Sequence, residues 1–180
     1  MADRVSTDKW AALLRGVNVG GGNKVPMVKL RALAEGLGWR DVKSYIASGN
    51  LVFRADGTVD GLAADLRQEM VGQMGVDVPV LVLSADQLGA ALAECPFTPE
   101  KGNLCHAFFL WSAPTVDWTA YETHRRPSEE LAVIGQVAFL HTPEGFGQSK
   151  LAEKLGKVIA GTDMTGRNLN TLRKLVELSG

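Results

Sequence analysis

The chain has 180 residues, 46% hydrophobic and 22% charged, which is long enough for one full core or two small ones and too apolar for general disorder. Its net charge of −1, with 19 basic and 20 acidic side chains, excludes the strongly basic balance of a dedicated nucleic-acid binder. No apolar run reaches the roughly 18–20 residues that span a bilayer, no signal-peptide core is present, and two cysteines are too few for a disulfide framework, so a cytoplasmic protein is expected.

Residues 10–15 (WAALLR) read as a buried strand, followed by a glycine-rich stretch over residues 16–24. Pro26 suits the first turn of a helix, Leu30, Leu33, Ala34 and Leu37 recur at helical spacing, and Gly38 stops it. Residues 42–47 and 51–54 read as a hairpin turning at Ser48-Gly49-Asn50. Val59, Leu62, Ala63, Leu66 and Met70 mark a second helix ending at Gly75, and residues 78–83 a fourth strand. Ser84 with Gln87 three residues later has the spacing of a capping box for a helix that ends at Cys95 and Pro96. This β-α-β-β-α-β order is that of a ferredoxin-like split βαβ unit.

Residues 96–103 read as a linker, dividing the chain into a 1–96 half with the glycine-rich loop and a 97–180 half. In the second half, residues 104–111 form a strand and residues 116–122 a short helix, and residues 131–134 and 137–141 a hairpin at Gly135-Gln136. One helix is expected on Leu151, Leu155, Val158 and Ile159, and a last one on Leu169, Leu172 and Val176. The expected architecture is α+β, two related ferredoxin-like βαββα halves forming one protein.

Charge is distributed unevenly. Residues 4–54 carry a net +6, residues 55–147 a net −9 and residues 148–180 a net +3. The crossover helix makes strands one and two parallel, so the loop leaving the first and the hairpin leaving the second emerge at one end of the sheet. That brings Arg15, Gly16, Asn18, Gly20, Gly21 and Lys24 beside Ser48, Gly49 and Asn50. Glycine backbone, two cations and a helix N-terminus suit an anion. The Walker pattern is absent, because Lys24 precedes Val25 rather than Ser or Thr, and Val25 also stands where a dinucleotide-binding loop needs its third glycine. A second polar cluster, Arg167, Asn168, Asn170 and Thr171, is expected to open the last helix and completes the candidate ligand-binding set.

Three segments carry a resemblance. Leu14-Arg15-Gly16-Val17-Asn18-Val19-Gly20-Gly21 with Lys24 and Met27, Tyr45-Ile46-Ala47-Ser48-Gly49-Asn50 with Phe53, and Arg167-Asn168 with Asn170-Thr171 are similar to the bacterial family named domain of unknown function 1697. The resemblance implies a soluble α+β protein and brings no established chemistry. Leu169 departs from the aromatic residue that family members often carry there, which would weaken any stacking on a ligand.

His106, His124 and His141 lack metal-ligand spacing, so no metal and no cofactor is expected. Ser48 has Ile46 rather than glycine two positions before it, so it is not on a nucleophile elbow. The leading expectation is a small anionic, phosphate-bearing or nucleotide-like ligand at the glycine-rich loop and the SGN hairpin. An enzyme of phosphoryl- or acyl-transfer type, with Ser48 as nucleophile and Lys24 stabilising charge, is the first alternative. An RNA-binding or protein-interaction module is the second. Single-stranded RNA needs aromatic platforms; Phe53 is better accounted for by core packing, Trp10 begins the first strand, and aromatic residues make up only 7% of the chain.

Overall fold

A computed structural model describes residues 8–19 and 22–180. The chain is mixed α+β with antiparallel sheets, and it divides into one unit running to Gly89 that includes Lys174–Gly180 and another covering Ala90–Arg173.

In the first unit, β1 (Lys9–Leu14) is buried from Trp10 onward, as its unbroken apolar run requires. Pro26 is the N-cap of α1 (Met27–Gly36), which buries Leu30, Leu33 and Ala34 and is followed by β2 (Arg40–Ser44) and β3 (Asn50–Arg54). Thr58 accepts the Gly61 N–H at 3.1 Å to start α2 (Val59–Met74), and Gly75 ends it in the left-handed conformation at φ 68°. After β4 (Val80–Ser84) the capping box at Ser84 is real in both directions: Ser84 N–H donates to Gln87 Oε1 at 2.9 Å, and Gln87 N–H to Ser84 Oγ at 3.1 Å. It starts α3 (Ala85–Glu94). The sheet order is β2-β3-β1-β4, and β1 and β2 each pair antiparallel with β3, so they run parallel to one another. Trp10, Ala12, Leu14, Leu51 and Phe53 pack on the buried residues of α1 and α2, where Trp39 stacks on Phe53 at 3.9 Å. Each such buried leucine contributes roughly 2 kcal/mol.

The second unit contains β5 (Cys105–Leu110), β6 (Thr115–Val116), α4 (Trp118–His124) and the hairpin of β7 (Glu130–Ile134) and β8 (Val137–His141). Then come α5 (Lys150–Glu153), α6 (Leu155–Val158), β9 (Ile159–Ala160), β10 (Met164–Asn168) and α7 (Leu169–Ser179), of which the residues from Lys174 onward are counted with the first unit. The main sheet has the order β10-β5-β8-β7, again antiparallel throughout, with β6 and β9 paired separately. Leu110, Leu131, Ala138 and Leu140 pack against Tyr121, Leu151, Leu155 and Val158.

Three expectations are corrected. The helix expected across 151–159 breaks at Lys154, where φ is −98° and ψ 13°, and Ile159 pairs with Val116 instead. The connection from β2 to β3 spans residues 45–49 rather than a three-residue turn, because Asn50 already belongs to β3. Residues 165–168 are not a helix opening but most of the edge strand β10, whose buried alternate positions are Thr165 and Arg167. Polar residues at those inward positions hide the strand's period of two from a hydrophobicity reading.

Candidate functional site

Asn18 holds the end of the first sheet together. Its backbone sits in the left-handed region at φ 55°, which asparagine tolerates better than other non-glycine residues. One side-chain amide then makes three hydrogen bonds to two segments. Nδ2 donates to Val25 O at 2.8 Å and to Ala47 O at 2.6 Å, while Oδ1 accepts the Val25 N–H at 2.7 Å. The glycine-rich loop also folds back on itself, with Asn18 N–H on Asn23 O at 2.7 Å and Gly22 N–H on Val19 O at 2.9 Å. Gly16 makes its bend at φ 70°. Gly20 and Gly21 lie outside the described residues.

The 45–49 connection is braced in the same way. Asn50 is fully buried, and its Nδ2 donates to Tyr45 O at 3.0 Å and to Ser48 Oγ at 2.9 Å. Gly49 O accepts the Leu14 N–H at 2.9 Å, tying the connection to the end of β1. Ile46 stands at φ 50° with about half its surface exposed, a strained conformation for a β-branched residue. The loop leaving β1 and the connection leaving β2 are therefore joined, as the parallel relation of the two strands requires. The two asparagines act here as braces: replacing Asn18 with alanine removes three hydrogen bonds at a left-handed position, so urea unfolding of the variant is expected to show a loss of about 2 kcal/mol.

Beside these braces is a hollow of about 450 Å³ lined by Val19, Gly22, Lys24, Pro26, Met27 and Ala47 among others. The N-terminus of α1 opens on it. Among the described residues no side-chain cap is made at its N-cap, Pro26, and its first turn carries no acidic residue. By contrast, Thr58 caps α2, Asp117 caps α4, and Asn168 Oδ1 accepts the Thr171 N–H of α7 at 2.9 Å. Lys24 and Arg15 are exposed, and Ser48 is half-buried. The Asn50 amide donates to the Ser48 hydroxyl oxygen, which does nothing to activate it as a nucleophile.

Arg167, Asn168, Asn170 and Thr171 belong to the second unit. Arg167 is buried on β10, its Nη1 donating to Thr165 Oγ1 at 2.7 Å and to Gly166 O at 2.8 Å, and burial lowers its pKa to about 10. Asn168 serves as the cap of α7, Asn170 lies over Gly102, and Thr171 is buried. The structural roles of Asn18, Asn50 and Arg167 carry no local sequence signal. The cap at Asn168 does carry one, an Asn with Thr at the helix start. Among the described residues no three His, Cys, Asp or Glu side chains gather as a metal site would require. None of the described helices is long and apolar enough to cross a membrane.

No curated protein matches the chain in sequence. Among solved structures, the conserved bacterial protein SP0830 from Streptococcus pneumoniae is similar to it over 96% of this chain and 99% of its own, at 26% identity and a TM-score of 0.74. The loop leaving β1 and the braced 45–50 segment fall inside the span that a family pattern matches, and the Arg167 cluster falls beyond it. The chain belongs to that family, described as protein of unknown function (DUF1697), which it matches over residues 7–139.

Proposed function

We propose that the protein binds a small anionic, phosphate-bearing or nucleotide-like ligand in the hollow at the start of α1, on a duplicated ferredoxin-like frame. The observation that carries this reading is the uncapped N-terminus of α1, opening on the hollow with no acidic side chain in its first turn and Lys24 on the wall. Free N–H groups at a helix start, reinforced by the helix dipole and a lysine, are complementary to a phosphate or carboxylate. Val19, Pro26, Met27 and Ala47 add an apolar wall that suits a ligand body attached to the anion. The reading rests on first-unit residues alone. In support of the frame, both main sheets have the same strand order, 4-1-3-2 when the four strands of each sheet are numbered in chain order. Two cysteines kept as thiols favour a reducing cytoplasm as its location.

The test is a titration of the isotopically labelled chain with a nucleoside monophosphate, pyrophosphate and a sugar phosphate. The backbone amides of Met27, Val28 and Lys29 are expected to show saturable shifts, and Lys24→Ala is expected to weaken binding at least about tenfold. Shifts confined to other parts of the chain, or none, contradict the reading.

A further inference from the structure

We propose that Cys95 and Cys105 are a modification site, closing to a reversible intramolecular disulfide when the protein meets a peroxide. They are the only cysteines of the chain, and their sulfur atoms lie 3.8 Å apart. Both belong to the second unit. Cys105 is fully buried at the first position of β5, where it is held in register against His141. Cys95 differs in each respect. It is half-buried, follows the end of α3, and begins a stretch without regular secondary structure over residues 95–101. Its thiol also donates to the Phe97 carbonyl oxygen, at 3.7 Å.

These differences assign the order of events. Burial, reinforced by the neighbouring Cys95, pushes the Cys105 thiol up, with the Arg173 guanidinium opposing more weakly, so Cys105 stays protonated and shielded. Cys95 is the sulfur an oxidant reaches first. Its thiolate attacks one oxygen of hydrogen peroxide, the O–O bond breaks, and the products are a Cys95 sulfenic acid and water once the proton is returned. The Cys105 sulfur then attacks the Cys95 sulfur, the S–O bond breaks, and the hydroxide leaves with the Cys105 proton as a second water. Two thiols and one peroxide become one disulfide and two waters. A dithiol reverses the change by exchange, becoming oxidised as the two thiols are restored.

Closure pins the segment between the two cysteines, including Gly102. That glycine lies so close under Asn170 that an added Cβ would collide with its side chain, and it would crowd the Arg173 guanidinium at 3.0 Å. Oxidation therefore fixes the surface on which the first turns of α7 rest.

The experiment oxidises the full-length folded protein with hydrogen peroxide, alkylates it after denaturation, and reads the intact mass. The expected product is a monomer two hydrogens lighter, with no alkylated cysteine and a cross-linked peptide pair containing Cys95 and Cys105. Dithiothreitol should restore two alkylatable thiols. Cys105→Ala should instead accumulate the Cys95 sulfenic acid, one oxygen heavier, and Cys95→Ser should leave Cys105 unreacted over the same interval. Circular dichroism establishes that each variant is folded. A wild-type product that gains oxygens without ever losing two hydrogens, or a disulfide found only between two chains, overturns the proposal.

Discussion

Replacing Gly49 with alanine is expected to lower stability by roughly 3–4 kcal/mol, read as a shift of the urea midpoint with an unchanged slope. Gly49 adopts φ 87°, a region that costs an alanine about 1 kcal/mol. The larger part is steric. A Cβ there would lie 2.7 Å from Val17 Cγ2 and 2.8 Å from Leu14 Cβ. Neither neighbour can yield, because Leu14 and Val17 are both buried in the core of the first unit. Nor can the connection retreat without breaking the bond from Leu14 N–H to Gly49 O. Gly36→Ala is the control, since a Cβ at that exposed helical position meets nothing within 4 Å and should be neutral or stabilising by up to about 1 kcal/mol. A Gly49→Ala variant within 1 kcal/mol of wild type, on the order of the conformational term alone, would show that the two loops are not locked together.

Acidification is expected to remove about 3 kcal/mol of stability through His106 alone. Burial lowers the pKa of this imidazole from 6.5 to about 4. Its ring lies on Phe146 at 3.9 Å and near Phe108 at 6.1 Å, and Nδ1 is buried without a hydrogen-bond partner among the described residues. The unfolded chain takes up a proton near pH 6.5 and the folded chain only near 4. The contribution is therefore complete above pH 6.5 and is lost as pH falls from there to 4. His106→Phe keeps the stacking and removes the titration. Its stability relative to wild type should rise steadily as urea unfolding is repeated from pH 7 to pH 4. A constant difference across that range would mean that His106 titrates alike in the folded and unfolded chains and that burial does not shift it.

Much of this molecule could be read from local chemistry. Gly75 ends α2, Ser84 and Gln87 start α3, and Gly135 turns the β7–β8 hairpin because each feature needs only near neighbours to form. The meeting of the Gly16 and Gly49 segments was also legible, since it follows from a parallel relation between β1 and β2 rather than from any contact. What escaped the sequence depends on distant partners. Asn18 finds Ala47 across 29 positions, and nothing near Asn18 announces that its amide is a brace rather than a ligand contact. Asn50 looks like a turn residue by type, yet it is fully buried as the first position of β3. β10 has polar residues at its inward positions, and β6 and β9 are two residues long, too short for any period. The polar groups of the motifs were found by type. Their division into those facing the hollow and those holding the backbone needed the structure.

The anion site is tested most directly by thermal unfolding of the full chain against nucleotides, sugar phosphates, coenzyme A, acidic metabolites and short RNAs, alongside Arg15→Ala and Lys24→Ala. Ligand at about one hundred times its dissociation constant adds roughly 2.7 kcal/mol to the folded state, which for a protein of this size raises Tm by roughly 5–10 °C. The expected result is such a shift for one class of phosphate-bearing compound, retained at moderate salt and lost in both variants. No shift from any compound, or one that both variants keep in full, would contradict an anion site at the start of α1.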